Sequence, residues 1–248
     1  MEITKSEIKT VLSLHTAHGR KKAQLFLVEG PKLVEELLGS DYEISLLLVN
    51  EKWLQKNPDF ENKRNTRLLS DHQLQKLSLF STSNQVMAVV GYQEYPPLKI
   101  SDDELILVLD TIQDPGNLGT IIRTAEWFGI KQIVCSKETA DAFNPKTVQA
   151  SMGSVFRIRI HYTDLVNFLQ SYSQMPVYGS LLSGDPIYDL NLSKAGFLII
   201  GNESKGISPD LQKLITQALY IPKHESSSTE SLNASVACGI LLSAFTKK

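Results

Sequence analysis

Asn117 and Arg123 lie in one stretch, LVLDTIQDPGNLGTIIRTAEWFG (residues 107–129), which runs from an apolar strand through a polar corner into a helix. Leu118, Ile121, Ile122, Ala125 and Phe128 recur at helical spacing, so that face packs on a sheet. Arg123 falls off the centre of this stripe, and Asn117 lies nearly two turns earlier on a similar side. An amide and a guanidinium are thus offered at the carboxyl end of a strand, where ligands sit in open α/β sheets. IIGNESKGIS (199–208) is a second corner, with Gly201 and Glu203 in a glycine-flanked polar turn. IPKHESSSTESLNASVA (221–237) is a third, ending in Ser231, Leu232 and Asn233 at a helix start. Three strand ends rich in small residues, each with an Asn, Glu or Ser, imply backbone brought close to a ligand.

Elements at two scales must position these corners. From Leu105 onward, LILVLD, QIVCS, RIRIHY, VYGSLL, GFLIIGN and ALYIP are continuous apolar runs. Such runs predict parallel strands covered on both faces. A last helix over 231–245 is apolar on most sides and is expected to be well buried. The first 95 residues alternate too: a helix over 3–16, a strand LFLVEG, and a helix over 31–38 opened by proline. A strand ISLLLVN, a short helix WLQKN and a strand VMAVVGY follow. QEYPPLKISDDE, with two prolines and an acidic run, reads as a linker. The expected organisation is α/β throughout: a smaller domain over 1–95, a linker over 96–104 and a parallel-sheet domain over 105–248.

A formal net charge of −2 argues against a generic polyanion binder. Phosphate affinity depends on where charge sits, and two basic knots stand out, GRKK (Arg20, Lys21, Lys22) and NKRNTR (62–67). Both fall within residues 1–95, whose 12 Lys and Arg are balanced by 12 Asp and Glu. Their contact with a polyanion should therefore be local and salt-dependent. Cys135 and Cys238 sit in apolar segments and read as reduced and buried. The polar start MEITKSEIKTVLSL is not expected to target the chain, no apolar run is long enough to span a bilayer, and a cytoplasmic protein is expected. The histidines are scattered; His15 and His18 share a face of the expected helix without Cys or acidic partners, so no metal is expected. A dinucleotide fingerprint is missing, since GNLG lacks the third glycine, and so is a Walker loop.

In order and spacing, the three corners resemble the motifs of the SpoU (TrmH-like) branch of the SPOUT RNA methyltransferases. NPKTVQASMGSVFRIRI resembles the family's segment between the first two motifs. RKKAQLFLVEGPKLVEELL is similar to the ribosomal-protein-like RNA-binding domain often fused to these enzymes. The resemblance implies S-adenosylmethionine-dependent methylation of a ribose 2′-hydroxyl in tRNA or rRNA, a deep trefoil knot in the C-terminal domain, and a homodimer formed through it. It makes Asn117, Arg123, Glu203, Ser231 and Asn233 the catalytic set. It implies cofactor contacts at Gly201, Ile221, Pro222, Leu232 and Ser231, with Ser180 and Leu181 on the remaining loop. A guanidinium stays protonated at ordinary pH, so Arg123 would hold a phosphate and stabilise charge on the oxygen. The phosphate, Glu203 or Glu230 would accept the proton. The third-motif loop departs from the family: KHESSST lacks its usual glycine and is about two residues longer, with Ser227 and Glu230 placed as a capping box. The alternative reading is a catalytically silent RNA-binding protein that kept the knotted fold. Retention of Asn117, Arg123, Glu203 and Asn233 together speaks against it.

Overall fold

A computed structural model describes residues 2–81, 84–101, 103–193 and 195–246, so Asp102 of the expected linker lies outside the described residues. The chain packs as two compact units, residues 1–94 with 143–156, and residues 95–142 with 157–248.

The first unit begins with α1 (Lys5–Ser13), held by a reciprocal capping box between Thr4 and Glu7. The single helix expected over 3–16 is instead two. Thr16 caps α2 (Ala17–Ala23) by accepting the Gly19 amide, and a Cβ at Gly19 would fall 1.9 Å from the Ser13 carbonyl oxygen. The turn between the helices therefore requires glycine there. β1 (Leu25–Glu29), α3 (Pro31–Leu38), β2 (Ile44–Val49) and α4 (Glu51–Lys56) follow as the apolar runs predict. β3 (Thr66–Leu68) and α5 (Asp71–Leu77) had no sequence expectation, and β4 (Val86–Gly91) completes a sheet ordered β1-β4-β2-β3. β4 is antiparallel to both neighbours, and β3 is parallel to β2.

Arg20 is a correction. It was expected to face RNA, yet it is 1% exposed, and its Nη1 donates to the carbonyls of Leu14 (2.9 Å) and His15 (3.2 Å). The guanidinium satisfies carbonyls left open where α1 ends. Arg20→Ala is expected to destabilise the protein by about 2–4 kcal/mol, because those carbonyls lose a charged donor. Lys21→Ala and Lys22→Ala, at exposed positions, should be close to neutral in the same melting experiment.

The second unit is a seven-stranded parallel sheet. β5 (Leu105–Leu109), α6 (Pro115–Trp127) and β6 (Gln132–Ser136) open it. α7 (Pro145–Ser151) follows in the chain but belongs to the first unit, where Phe143 stacks on Phe26 with ring centroids 4.4 Å apart. Packing thus departs from the chain-order boundary, because this aromatic cluster draws residues 143–156 away from the sheet that flanks them. β7 (Arg159–Thr163), α8 (Leu165–Gln170), β8 (Val177–Leu181), β9 (Asp185–Pro186), β10 (Gly196–Ile200), α9 (Pro209–Gln212), β11 (Gln217–Tyr220) and α10 (Ala234–Thr246) complete the chain. The strand order is β7-β6-β5-β10-β8-β11-β9. β5, β6 and β10 are buried along their whole length, which is why β5 and β10 read as unbroken apolar runs and β6 carries polar residues only at its ends, Gln132 and Ser136. The chain moves outward from β5 to β7, then returns and inserts β10 beside β5. That insertion creates a switch point where the corners after β5 and β10 face each other.

α10 packs on α6 and buries Cys238, Leu241 and Leu242, and Phe245 meets the Tyr178 ring edge-on at 4.9 Å. Its burial is one-sided, not the nearly complete burial expected, since Val236 is 49% exposed. Cys135 and Cys238 are free and buried; burial raises both thiol pKa values, that of Cys238 to about 12. Among the described residues, no helix is long and apolar enough to cross a membrane.

Candidate active site

At the switch point the three corners are tied together by side chains. Asp114 caps α6 by accepting the Asn117 amide at 2.8 Å, which fixes Asn117 in the first turn. Asn117 Nδ2 donates to Glu203 Oε1 at 2.9 Å, and Asn233 Nδ2 donates to Asn117 Oδ1 at 2.9 Å. Residues 117, 203 and 233 therefore form one hydrogen-bonded chain, although they are far apart in sequence. Asn233 is also the cap of α10, since its Oδ1 accepts from the Ser235 and Val236 amides. The capping box expected from Ser227 and Glu230 does not form, and α10 starts at Ala234 instead of Ser231. The more C-terminal Asn wins because its position suits both the cap and the bond to Asn117.

Arg123 is exposed on α6 and, among the described residues, has no ion-pair or hydrogen-bond partner. Ser231 is exposed, and the structure does not join it to the Asn117 chain. Gly201 follows β10, Ile221 and Pro222 follow β11, and Ser180 and Leu181 end β8. Leu219 and Tyr220 pair in parallel with Ser180 and Leu181, so these positions share one edge of the sheet with the Asn117 chain. Leu232 is 45% exposed.

Three positioning residues escaped the sequence reading. Asp110 is 5% exposed, and its Oδ2 accepts the Ser208 amide at 2.7 Å. Thr111, with φ of +58°, donates its hydroxyl to Asp110 Oδ1, and its carbonyl accepts from Asn202 Nδ2 at 2.8 Å. The loop carrying Glu203 is thereby moored to the end of β5. Its turn is also tight, because a Cβ on Gly201 would lie 2.4 Å from backbone atoms of Gly206 and Ile207. The available signal was a lone Asp ending an apolar strand, LILVLD, where burial demands a partner.

The donor set suits a cationic ligand with a flat apolar part. Half-buried Leu181 and Ile221 with exposed Leu232 supply apolar contact, backbone groups beyond three strand ends supply hydrogen bonds, and the Glu203 carboxylate supplies negative charge.

With this geometry, the chain belongs to the SpoU rRNA methylase family, whose model matches residues 104–243. An MRM3-like substrate binding domain matches residues 5–88. The 23S rRNA (guanosine(2553)-2′-O)-methyltransferase RlmP of Bacillus subtilis is 34% identical over 95% of this chain and 94% of its own. A chain from Porphyromonas gingivalis assigned to the TrmH family of RNA methyltransferases superposes with a TM-score of 0.86 at 35% identity, covering 99% of this chain and 98% of that one. An S-adenosylmethionine-bound rRNA methyltransferase from Sinorhizobium meliloti superposes with a TM-score of 0.87 at 27% identity, covering 99% and 97%.

Proposed function

We infer that this enzyme methylates a ribose 2′-hydroxyl of ribosomal RNA, using S-adenosylmethionine, at the edge where the three corners meet. The observation that carries this reading is the Glu203–Asn117–Asn233 chain, which joins all three corners, with an exposed arginine on the same helix as Asn117. Backbone at Ser180, Leu181, Gly201, Ile221, Pro222 and Leu232 would hold the cofactor, with Ser231 beside them. The bound cofactor supplies an electrophilic methyl on a sulfonium. The protein's task is to present the 2′-oxygen in line and to remove its proton. Arg123 holds the phosphate next to the target ribose and stabilises the charge that grows on the oxygen. Glu203 receives the Asn117 amide on Oε1 and keeps Oε2 for the departing proton.

The reading includes a deep trefoil knot in residues 105–248, supported by the insertion of β10 between β5 and β8 and by the return of α10 onto α6. A crystal structure tracing residues 201–233 checks it. It also includes a homodimer through the C-terminal domain, supported by the open side of α10 at Val236; sedimentation as a monomer would remove it. The first unit gives RNA contact through exposed Lys21 and Lys22, with Arg20 withdrawn from that role. Two reduced thiols deep in the core agree with a cytoplasmic place of work. The likeness to RlmP points to large-subunit rRNA and a guanosine target. Mapping 2′-O-methylation in 23S rRNA from cells with and without the gene is the test. One guanosine should lose its mark without the gene; an unchanged rRNA pattern with a lost tRNA mark would move the substrate to tRNA.

A further inference from the structure

The second basic knot, residues 62–67, has no part in the chemistry above, and its three cations have different fates. Lys63 lies over the Phe60 ring, 4.2 Å from its centroid. Arg67 is committed to Glu7, donating Nη2 to Oε1 at 2.7 Å, while its Nη1 donates to the carbonyls of Arg64 and Thr66. The Arg64 side chain is exposed and, among the described residues, has no partner. Arg64 and Arg67 line a cleft of about 440 Å³ between α1 and the sheet. Its floor is apolar, formed by Leu46 and Val89, and its α1 wall carries the hydroxyls of Ser6 and Thr10. Burial works against the Glu7 carboxylate, but the Thr4 amide and Arg67 outweigh it and hold its pKa below the ordinary value.

We propose that this cleft is a subsite for one unpaired nucleotide of the RNA, resting on the reading of the first unit as an RNA-contacting domain. The volume falls in the range of small-ligand clefts. The N–H edges of Arg67 are occupied by carboxylate and carbonyl oxygens and its side chain is only 13% exposed, so the part that reaches the cleft offers a base a flat surface instead of hydrogen bonds. The plane is preorganised, because four acceptor contacts fix it. The base lies over Leu46 and Val89, the hydroxyls of Ser6 and Thr10 meet its polar edge, and Arg64 takes the phosphate. A duplex does not fit, since its bases are already stacked and paired; the cleft selects a loop or a bulge.

The experiment is fluorescence anisotropy of the full-length protein with labelled 12-nucleotide oligoadenylate and oligouridylate, and with the duplex the two form. Arg64→Ala is expected to weaken single-strand binding about 5- to 10-fold and to reduce the salt slope by about 0.7. Ser6→Trp, which fills the cleft and removes no charge, is expected to cause a similar loss while melting stays unchanged. Lys52→Ala, an exposed charge on α4, should change neither property. The subsite is overturned if both cleft variants bind single strands like the wild type, or if strand and duplex weaken equally. A wild-type protein that binds no RNA at all overturns the underlying reading of the unit as well.

Discussion

Arg123→Ala should lower methyl transfer by at least about 10²-fold while moving the thermal midpoint by less than about 2 °C. The asymmetry follows from where the side chain sits. α6 buries Leu118, Ile121, Ile122 and Ala125 against its neighbours, and Arg123 is outside that face and exposed. Because it gives no hydrogen bond to the described residues, its removal leaves no buried acceptor unsatisfied. What is lost is a positive charge on the helix that carries Asn117, which the proposed mechanism uses to hold phosphate and offset negative charge on the oxygen. Cofactor affinity, measured by calorimetry, should stay within about threefold, since none of the backbone corners moves. A melting point lower by ten degrees would make the arginine structural. Unchanged transfer would remove it from the mechanism.

The parts of the fold that were legible in the sequence share one physical trait. β5 and β10 are buried on both faces and apolar throughout, and β6 departs from this only at its ends, at buried Gln132 and Ser136, so the runs were visible. β3 is three residues long, with Thr66 buried, Arg67 half-buried and Leu68 exposed, and no periodicity can emerge from so short a piece. α5 carries its signal in Ser70 and Gln73, a reciprocal capping box, and in Leu74 and Leu77 alone, which is too little apolar repetition to read as a stripe. The site residues were legible as types at strand ends, but not as a connected chain, since nothing local links residues 117, 203 and 233. Arg20 was misread because charge in sequence does not reveal which carbonyls a guanidinium can reach. The packing of Phe143 on Phe26 was equally hidden, and it changes how the division of labour must be tested. Cutting away residues 1–95 would strip the cover from Phe143 and Phe156, so point substitutions such as Arg64→Ala are the cleaner probe.

The second large effect is expected at Asn117, the middle member of the polar chain, which donates to Glu203 and accepts from Asn233. Asn117→Asp keeps the shape and still accepts from Asn233, but it turns a second carboxylate toward Glu203 at the position of a 2.9 Å hydrogen bond. Two carboxylates at that separation cannot both stay ionised without cost, so the pair holds one proton with a raised pKa. At high pH the pair is fully charged, the corners after β5 and β10 repel, and transfer should fall by about 10²-fold relative to wild type. As the pH falls through the raised pKa, the shared proton restores a donor between residues 117 and 203, and the ratio to wild type should recover. Asn117→Ala has no such proton, so its loss should be flat with pH. The double variant Asn117→Asp with Glu203→Gln reverses the direction of the bond, since the glutamine amide can donate to the new carboxylate. It should restore cofactor affinity to within a fewfold of wild type, even if turnover stays low for want of the Glu203 carboxylate. A pH-independent loss in Asn117→Asp, together with no recovery of affinity in the double variant, would mean that the contact between residues 117 and 203 does not hold the corners together.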